Sequence, residues 1–198
     1  MYQVDAFTQQ LFKGNPAAII PKRRRFIFML KIWQAEDGKI QMNFPIRQPQ
    51  KVIDYPELLN HVIDQPFKEV YLNAQAYILV CESAQDVINA TPNLPNIRKI
   101  AEQYHVSTAL TAESAGYDVT ITAASNDYDY VARYFAPHKG IDEDPVTGSM
   151  HTGLAPLWAE KLGKKQLIGY QASARGGKLF CDIQDGQHMF KSLQKPLK

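Results

Sequence analysis

Apolar and polar residues alternate at the start of the chain, and further on apolar residues recur in short blocks between turn residues. Residues 2–7 alternate, with Tyr2, Val4 and Ala6 against Gln3, Asp5 and Phe7, which predicts a strand. A glycine-asparagine-proline turn at 14–16 separates this strand from extended residues 17–20. An Asp-Gly pair inside 31–45 predicts a hairpin, and the strongly apolar block at 76–81 predicts a further strand.

Helix signals are mixed with further strands in the rest of the chain. Ser83 is placed to cap a short helix that runs to Ala90, and Asn93 opens another that runs to Tyr104. The order of strands and helices has no strict repeating unit, which predicts an α+β fold rather than a doubly wound one. A short helix is also predicted to begin at Pro56, and strands are predicted at 106–111, 117–123, 128–135, 166–174 and 178–184.

The last predicted helix follows an acidic loop directly. Leu154, Leu157, Trp158 and Leu162 recur at helical spacing, and Gly163 with two following lysines gives a stop signal. This pattern predicts an amphipathic helix with one apolar face.

Composition sets limits on the class of protein. The 198 residues allow one domain or two small ones, and 45% apolar residues are normal for a globular protein. A net charge of +2 argues against a dedicated nucleic-acid surface. No signal peptide or membrane-length apolar run is present, so we expect a cytoplasmic protein without membrane contact. Cys81 and Cys181 lie far apart and outside any metal-ligand spacing, which predicts buried thiols and no metal site.

The acidic loop at 142–151 carries the candidate chemistry. Three acids at 142–144 precede Pro145, and a glycine-serine pair at 148–149 lies at the start of the helix. Backbone amides at a helix N-terminus carry partial positive charge, so they can bind an anion beside these acids. That combination suits proton-transfer isomerisation next to a carboxylate, whereas spacing alone favours a simple helix cap. The loop lacks the lysine of a phosphate-binding loop, and residues 149 and 151 would not face each other as a nucleophile pair.

Three stretches of the sequence resemble one known family. They are Tyr-Phe-Ala-Pro at 134–137 with Gly-Ile-Asp-Glu-Asp-Pro-Val-Thr-Gly-Ser at 140–149, Phe-Lys-Gly-Asn-Pro-Ala-Ala-Ile-Ile at 12–20, and Gln-Ala-Ser-Ala-Arg-Gly-Gly-Lys-Leu at 171–179. Together they resemble the PhzF family of phenazine-biosynthesis-like isomerases, which are related in fold to diaminopimelate epimerase. The resemblance covers residues 1 to about 21 and about 32 to 185.

The resemblance implies two similar lobes, each a curved mixed sheet around a central helix, with the active site between them. It implies cofactor-independent isomerisation of a small carboxylated metabolite. In this sequence Asp144 would be an acidic catalytic group, and the amides of Gly148 and Ser149, with the Ser149 hydroxyl, would hold the substrate carboxylate. Thr147 and His151 would flank the substrate.

Two family motifs are absent from the sequence. The family's Asn-Leu-Ser-Glu-Thr motif supplies a glutamate general acid/base, and its Cys-Gly-His-Ala-Thr motif faces the substrate; neither occurs here. Their place would be at 21–31, where a basic run at 22–25 leads into apolar residues. We therefore expect a truncated first lobe and weak or absent activity.

The expected organisation is a first-lobe remnant at 1–48, a largely intact second lobe at 49–186 and a loose basic tail at 187–198. Uncovered apolar surface would then favour a homodimer or other self-association. A non-catalytic remnant or self-associating binding scaffold is the alternative to an isomerase. A third interpretation treats the run at 22–25 as a nucleic-acid contact, although the balanced charge predicts no nucleic-acid partner.

Overall fold

The computed structural model describes residues 2–6, 13–19, 31–34, 40–106, 115–184 and 190–192. The basic run at 22–25 lies outside these residues. Most strands join one ten-stranded mixed sheet. Its strands are β3 Lys31–Gln34, β4 Ile40–Asn43, β5 Gln50–Val52, β6 Phe67–Leu72, β7 Ala76–Cys81, β10 Asp118–Ala124, β11 Tyr130–Phe135, β12 Gln166–Gln171, β13 Gly177–Asp182 and β14 Phe190–Ser192. Their spatial order is β3-β4-β14-β13-β12-β11-β10-β7-β6-β5.

Strand β7 explains why the apolar block at 76–81 is continuous. Ala76, Ile78 and Val80 pack into one core cluster, and the alternate residues pack into a second cluster on the other side of the sheet. All six residues are buried, as expected for a strand covered on both faces. Parallel pairing of β7 with β10, and of β11 with β12, each requires a crossover, and helices provide both.

Helix α3 Gly148–Leu162 is the crossover from β11 to β12 and packs on the first core cluster. The prediction of an amphipathic helix is wrong, because every residue from Met150 to Trp158 is buried. Neighbouring elements cover all sides of the helix rather than one face. Gly153 shows how close they come: a Cβ there would lie 2.3 Å from the Asn73 side-chain nitrogen. The predicted stop at Gly163 is confirmed by its left-handed backbone, with φ of 64°.

Two helices, α1 Ala84–Asn89 and α2 Leu94–Gln103, cover the opposite face of the sheet. Ser83 caps α1 in a reciprocal pair with Asp86, as the sequence predicts. Asn93 caps α2 through the Asn96 amide. A 3₁₀ helix at Glu57–His61 follows Pro56, where a short helix is expected. No helix within the described part of the chain is long and apolar enough to cross a membrane.

Two small hairpins and a 3₁₀ helix at Pro137–Lys139 complete the described secondary structure. The first, β1 Tyr2–Ala6 with β2 Asn15–Ile19, confirms the strand predicted at the start of the chain. It meets the loop after β12, because the Gly14 amide donates to the Gly176 carbonyl at 2.9 Å and Arg175 Nε donates to the Gly14 carbonyl at 2.7 Å. The second pairs β8 His105–Val106 with β9 Ala115–Gly116; the rest of the strand predicted at 106–111 lies outside the described residues.

The tail departs from the sequence expectation in one place. Residues 187–198 are basic and alternate poorly, which predicts a loose end. Strand β14, Phe190–Ser192, instead lies between β13 and β4, pairing with both in antiparallel register. Backbone pairing on both sides stabilises this short strand without an alternating side-chain pattern. The hairpin of β3 and β4 joins the large sheet through it.

The α+β class is confirmed, as is a mixed sheet around a central helix. The three proposed segments, 1–48, 49–186 and 187–198, stay a prediction.

Candidate functional site

The loop that enters α3 is held by one buried side chain. Gln171, at the end of β12, has no exposed surface. Its Oε1 accepts from the Thr147 amide at 2.7 Å, and its Nε2 donates to the Asp144 carbonyl at 2.7 Å and to Thr147 Oγ1 at 3.2 Å. The loop backbone is therefore fixed from the sheet rather than by the helix.

The Asp144 carboxylate lies at the N-terminus of α3. Its Oδ2 accepts from Thr147 Oγ1 at 2.7 Å, and its amide donates to the Tyr134 carbonyl at 3.0 Å. Thr147 is the residue before the helix, yet its side chain makes no capping hydrogen bond to the helix amides. The threonine hydroxyl orients the carboxylate instead, so helix capping by Thr147 does not account for this loop.

Gly148 and Ser149 form the first positions of α3 and are half-buried. Four sequence-predicted residues, 144 and 147–149, thus lie together in one loop and helix start. The Ser149 hydroxyl oxygen accepts from Gln75 Nε2 at 3.0 Å. Amides at this end of the helix carry partial positive charge next to the Asp144 carboxylate, an arrangement that can bind an anion and handle a proton.

His151 lies in the core beneath this group, within hydrogen-bonding reach of the Gln171 side chain. It has no exposed surface, and its Nδ1 is 2.7 Å from the Tyr130 hydroxyl. Burial lowers the pKa of His151 to about 3, so the ring is neutral at physiological pH. The buried ring packs inside the helix and the sheet, and its role beside a substrate stays a prediction.

Tyr130 connects His151 to the core of the sheet. The Tyr130 ring stacks on Trp158 at 6.1 Å, and its hydroxyl is 3.6 Å from Cys181 Sγ.

Both cysteines, Cys81 and Cys181, are buried, as predicted, and burial raises the pKa of each thiol to about 12. They are therefore inert core thiols rather than nucleophiles.

Glu143, next to Asp144, pairs with Arg133 on β11. The two carboxylate oxygens accept from Arg133 Nε at 2.7 Å and from its terminal nitrogen at 2.9 Å. Arg133 also donates to the Ala90 carbonyl at 2.6 Å. This two-bond ion pair ties the acidic loop to the end of α1, so Glu143 orients the loop.

A polar cluster that the sequence pattern does not reveal lies behind Ser149. Gln75 donates to the Tyr134 hydroxyl at 2.6 Å and accepts from Arg47. Tyr134 donates in turn to Asp118, a carboxylate with no exposed surface that also accepts from Lys139 at 2.7 Å. Burial and the neighbouring Asp118 raise the pKa of Tyr134, which keeps the phenol protonated. Of the residues in this cluster, only Tyr134 lies in one of the three stretches that resemble the PhzF family.

The chain matches the family model for phenazine biosynthesis-like proteins, PhzC-PhzF, over residues 27–195. It therefore belongs to the PhzF family.

Curated relatives extend the match. An uncharacterized isomerase of Halalkalibacterium halodurans is 29% identical over 253 residues, covering 93% of this chain and 91% of the relative. An uncharacterized isomerase of Pseudomonas aeruginosa is 32% identical over 148 residues, 75% of this chain and 51% of its own length. The rat phenazine biosynthesis-like domain-containing protein is 33% identical over 171 residues, 80% of this chain and 56% of its own length. The chain thus spans about half the length of these last two relatives.

Solved structures show the same fold. A PhzF-family phenazine biosynthesis protein of Enterococcus faecalis superposes with a TM-score of 0.78 at 21% identity, covering 100% of this chain and 96% of that chain. A putative phenazine biosynthesis PhzC/PhzF protein of Clostridium difficile also gives 0.78, at 25% identity, with 100% and 97% coverage.

Proposed function

We propose that this chain is a PhzF-type isomerase homologue that carries one half of a proton-transfer site. The half-site consists of the Asp144 carboxylate, the Thr147 hydroxyl that orients it, and the Gly148 and Ser149 amides at the start of α3. Its ligand is a small carboxylated metabolite, and the reaction is cofactor-independent isomerisation by removal and return of a proton. The isomerase names of the bacterial relatives support this class of reaction.

One observation carries the proposal: Thr147 donates to Asp144 Oδ2 at 2.7 Å while making no capping bond to the helix. A threonine that only capped α3 would use its hydroxyl on the helix amides. Here the hydroxyl holds a carboxylate beside the helix N-terminus. Gln171 fixes both residues from the sheet, so the geometry is set before a ligand arrives.

We propose that the second half of the site is missing and that catalysis is weak or absent. The glutamate and glycine-histidine motifs that the family resemblance leads one to expect do not occur in the sequence. The match to the Halalkalibacterium isomerase spans 253 residues, more than the 198 of this chain, so that relative has positions without a counterpart here. We propose that the missing positions belong to a truncated first lobe at 1–48, which is followed by a second lobe at 49–186. A proton-transfer isomerase needs a group that returns the proton as well as one that removes it.

Carboxylate binding can be tested by NMR with succinate, a small dicarboxylate. We expect saturable shifts of the Gly148 and Ser149 amide signals at constant ionic strength. The Asn96 amide at the start of α2 is an internal control, because it already donates a hydrogen bond to Asn93 Oδ1 at 3.2 Å. Equal shifts at both helix starts would indicate a general salt effect, and no shift at Gly148 and Ser149 would overturn the proposal.

Self-association is a second proposal, with the chain acting as a binding scaffold. Strand β5 lies at the end of the ten-stranded sheet, and Ile53 directly after it is 91% exposed. An edge strand with an exposed apolar residue can pair with another copy. We expect a concentration-dependent increase in size on gel filtration, reduced by Ile53→Lys. A monomer at every concentration would exclude this function.

A further inference from the structure

Gln75 lies behind Ser149 and contacts it across the sheet-helix boundary. It precedes strand β7, and its Nε2 is 3.0 Å from Ser149 Oγ and 2.6 Å from the Tyr134 hydroxyl. Its Oε1 accepts from Arg47. We propose that Gln75 is a positioning residue that makes the Ser149 hydroxyl a hydrogen-bond donor to the substrate carboxylate, an inference that rests on the proposed function of the α3 N-terminus.

Arg47 fixes which way the Gln75 amide faces. A guanidinium group has only hydrogen-bond donors, so the Gln75 atom that meets it must be the amide oxygen. The amide nitrogen then faces Ser149 and Tyr134. Its two protons match these two oxygens, so both contacts are donated by Gln75.

Asp118 fixes the same direction from the other end. The carboxylate is fully buried and accepts from Lys139 at 2.7 and 2.8 Å, which keeps it an acceptor. Tyr134 has one hydroxyl proton and donates it to Asp118. The Tyr134 oxygen can therefore only accept from Gln75, in agreement with the orientation that Arg47 imposes.

The consequence falls on Ser149. Its oxygen accepts from Gln75, so its own proton is directed to a different acceptor. Ser149 is half-buried at the start of α3, beside the amides proposed to hold an anion. A substrate carboxylate at that position is an acceptor only, and a hydroxyl already polarised as a donor binds it without reorganisation.

A double-mutant cycle on succinate binding tests this role. Ser149→Ala removes the hydroxyl, and we expect about tenfold weaker binding, the size of one hydrogen bond to a charged group. Gln75→Met removes the donors at similar length, and we expect about fivefold weaker binding. If Gln75 acts through Ser149, the double variant binds no more weakly than Ser149→Ala alone.

Three outcomes decide the question. Binding by Gln75→Met equal to wild type, or a double variant weakened by the product of the two single effects, overturns the role of Gln75 and leaves the proposed function standing. Absence of succinate binding by the wild-type chain overturns the proposed function and this inference with it. If urea unfolding shows that Gln75→Met does not fold, Gln75→Glu replaces it in the same cycle. Gln75→Glu keeps the side-chain length and the Arg47 contact but presents an acceptor, instead of a donor, to Ser149. The weakening of succinate binding that it causes must therefore be smaller in the Ser149→Ala background than in wild type.

Discussion

The side chain of Gln171 reaches from the end of strand β12 to Thr147, whose amide donates to Gln171 Oε1 at 2.7 Å. The same side chain donates to the Asp144 carbonyl at 2.7 Å. Asp144 and Thr147 lie 27 and 24 positions from Gln171 in sequence, so the geometry of the loop before α3 depends on the sheet. Removal of the Gln171 side chain should therefore lower the stability of the chain and disturb the positions of Asp144 and Thr147.

Gln171→Met should lower the free energy of unfolding by about 3 kcal/mol, because it leaves the buried Thr147 amide without its acceptor. Urea unfolding followed by tryptophan fluorescence measures the change. Gln166→Met, on the same strand but exposed, is the matched control and should stay within about 0.5 kcal/mol of wild type. Equal effects of the two variants would show that Gln171 does not support the loop.

His151 should make stability depend on pH. Burial lowers its pKa to about 3 in the folded chain, whereas a histidine in the unfolded chain titrates near its ordinary pKa of 6.5. Between pH 6.5 and pH 3 the unfolded chain binds a proton at His151 that the folded chain does not. The stability contributed by the neutral, buried His151 is therefore fully present above the unfolded pKa and is lost as pH falls toward the folded pKa. From pH 7 to pH 4.5 the loss should be about 2–3 kcal/mol.

Urea unfolding of wild type and His151→Gln at the two pH values isolates the contribution of His151 to the pH dependence of stability. The variant should lose less stability on acidification than wild type does. His61→Gln, at an exposed position on the 3₁₀ helix, is the control for loss of a histidine outside the core. A His151→Gln variant with the full wild-type pH dependence would contradict the assignment.

Breaking the Arg133–Glu143 pair should destabilise the chain by about 2 kcal/mol, because its side chains are only 12% and 23% exposed. Glu143→Gln is the test, measured by urea unfolding. Glu82→Gln breaks the Lys68 pair, at 3.8 Å with side chains 47% and 57% exposed, and should cost less than about 0.5 kcal/mol. Comparable losses would mean that the acidic loop gains no support from Arg133.

Gly169→Ala should destabilise the chain by about 2–3 kcal/mol, because its new Cβ would lie 2.5 Å from the fully buried Tyr130 ring. Gly140→Ala is the comparison: nothing lies within 4 Å of a Cβ there, and only its φ of 78° opposes the substitution. Thermal unfolding of both variants gives the difference. A larger loss for Gly140→Ala would show that the Tyr130 ring moves aside readily.

Local signals in the sequence predicted much of the fold. The Ser83 cap, the apolar strand at 76–81 and the Gly163 stop are each specified by neighbouring residues, and the structure confirms them. The helical spacing of Leu154 and Leu157 could not show that the opposite face is also covered, because that depends on strands distant in sequence. Strand β14 likewise depends on partners on both sides.

The sequence predicted the candidate site only where its residues are consecutive in the chain. Residues 144 and 147–149 form one stretch, so motif resemblance finds them together. Gln75 contacts Tyr134 and Ser149 from 59 and 74 positions away, and no pattern around it indicates that role. His151 belongs to the same stretch, but its two-residue offset from Ser149 on the helix places it in the core.

Asp144→Asn should strengthen succinate binding by about two- to fivefold, because it removes a negative charge beside the proposed anion site. Isothermal titration calorimetry on wild type and variant measures the ratio. Asp127→Asn, on an exposed turn away from the site, should leave the affinity unchanged. Weaker binding by Asp144→Asn would contradict the placement of the anion site beside this carboxylate.

The central claim is that the chain keeps half of a proton-transfer site, and hydrogen exchange in heavy water tests it most directly. Glutaconate, a small dicarboxylate with an acidic C–H, is incubated with wild type and with Asp144→Asn, and deuterium incorporation is followed by NMR. Because the family's glutamate general acid/base is absent, the half-site predicts exchange in wild type that is no faster than in Asp144→Asn, although glutaconate binds. Rapid exchange that is lost in Asp144→Asn would contradict the account and show a complete catalytic site.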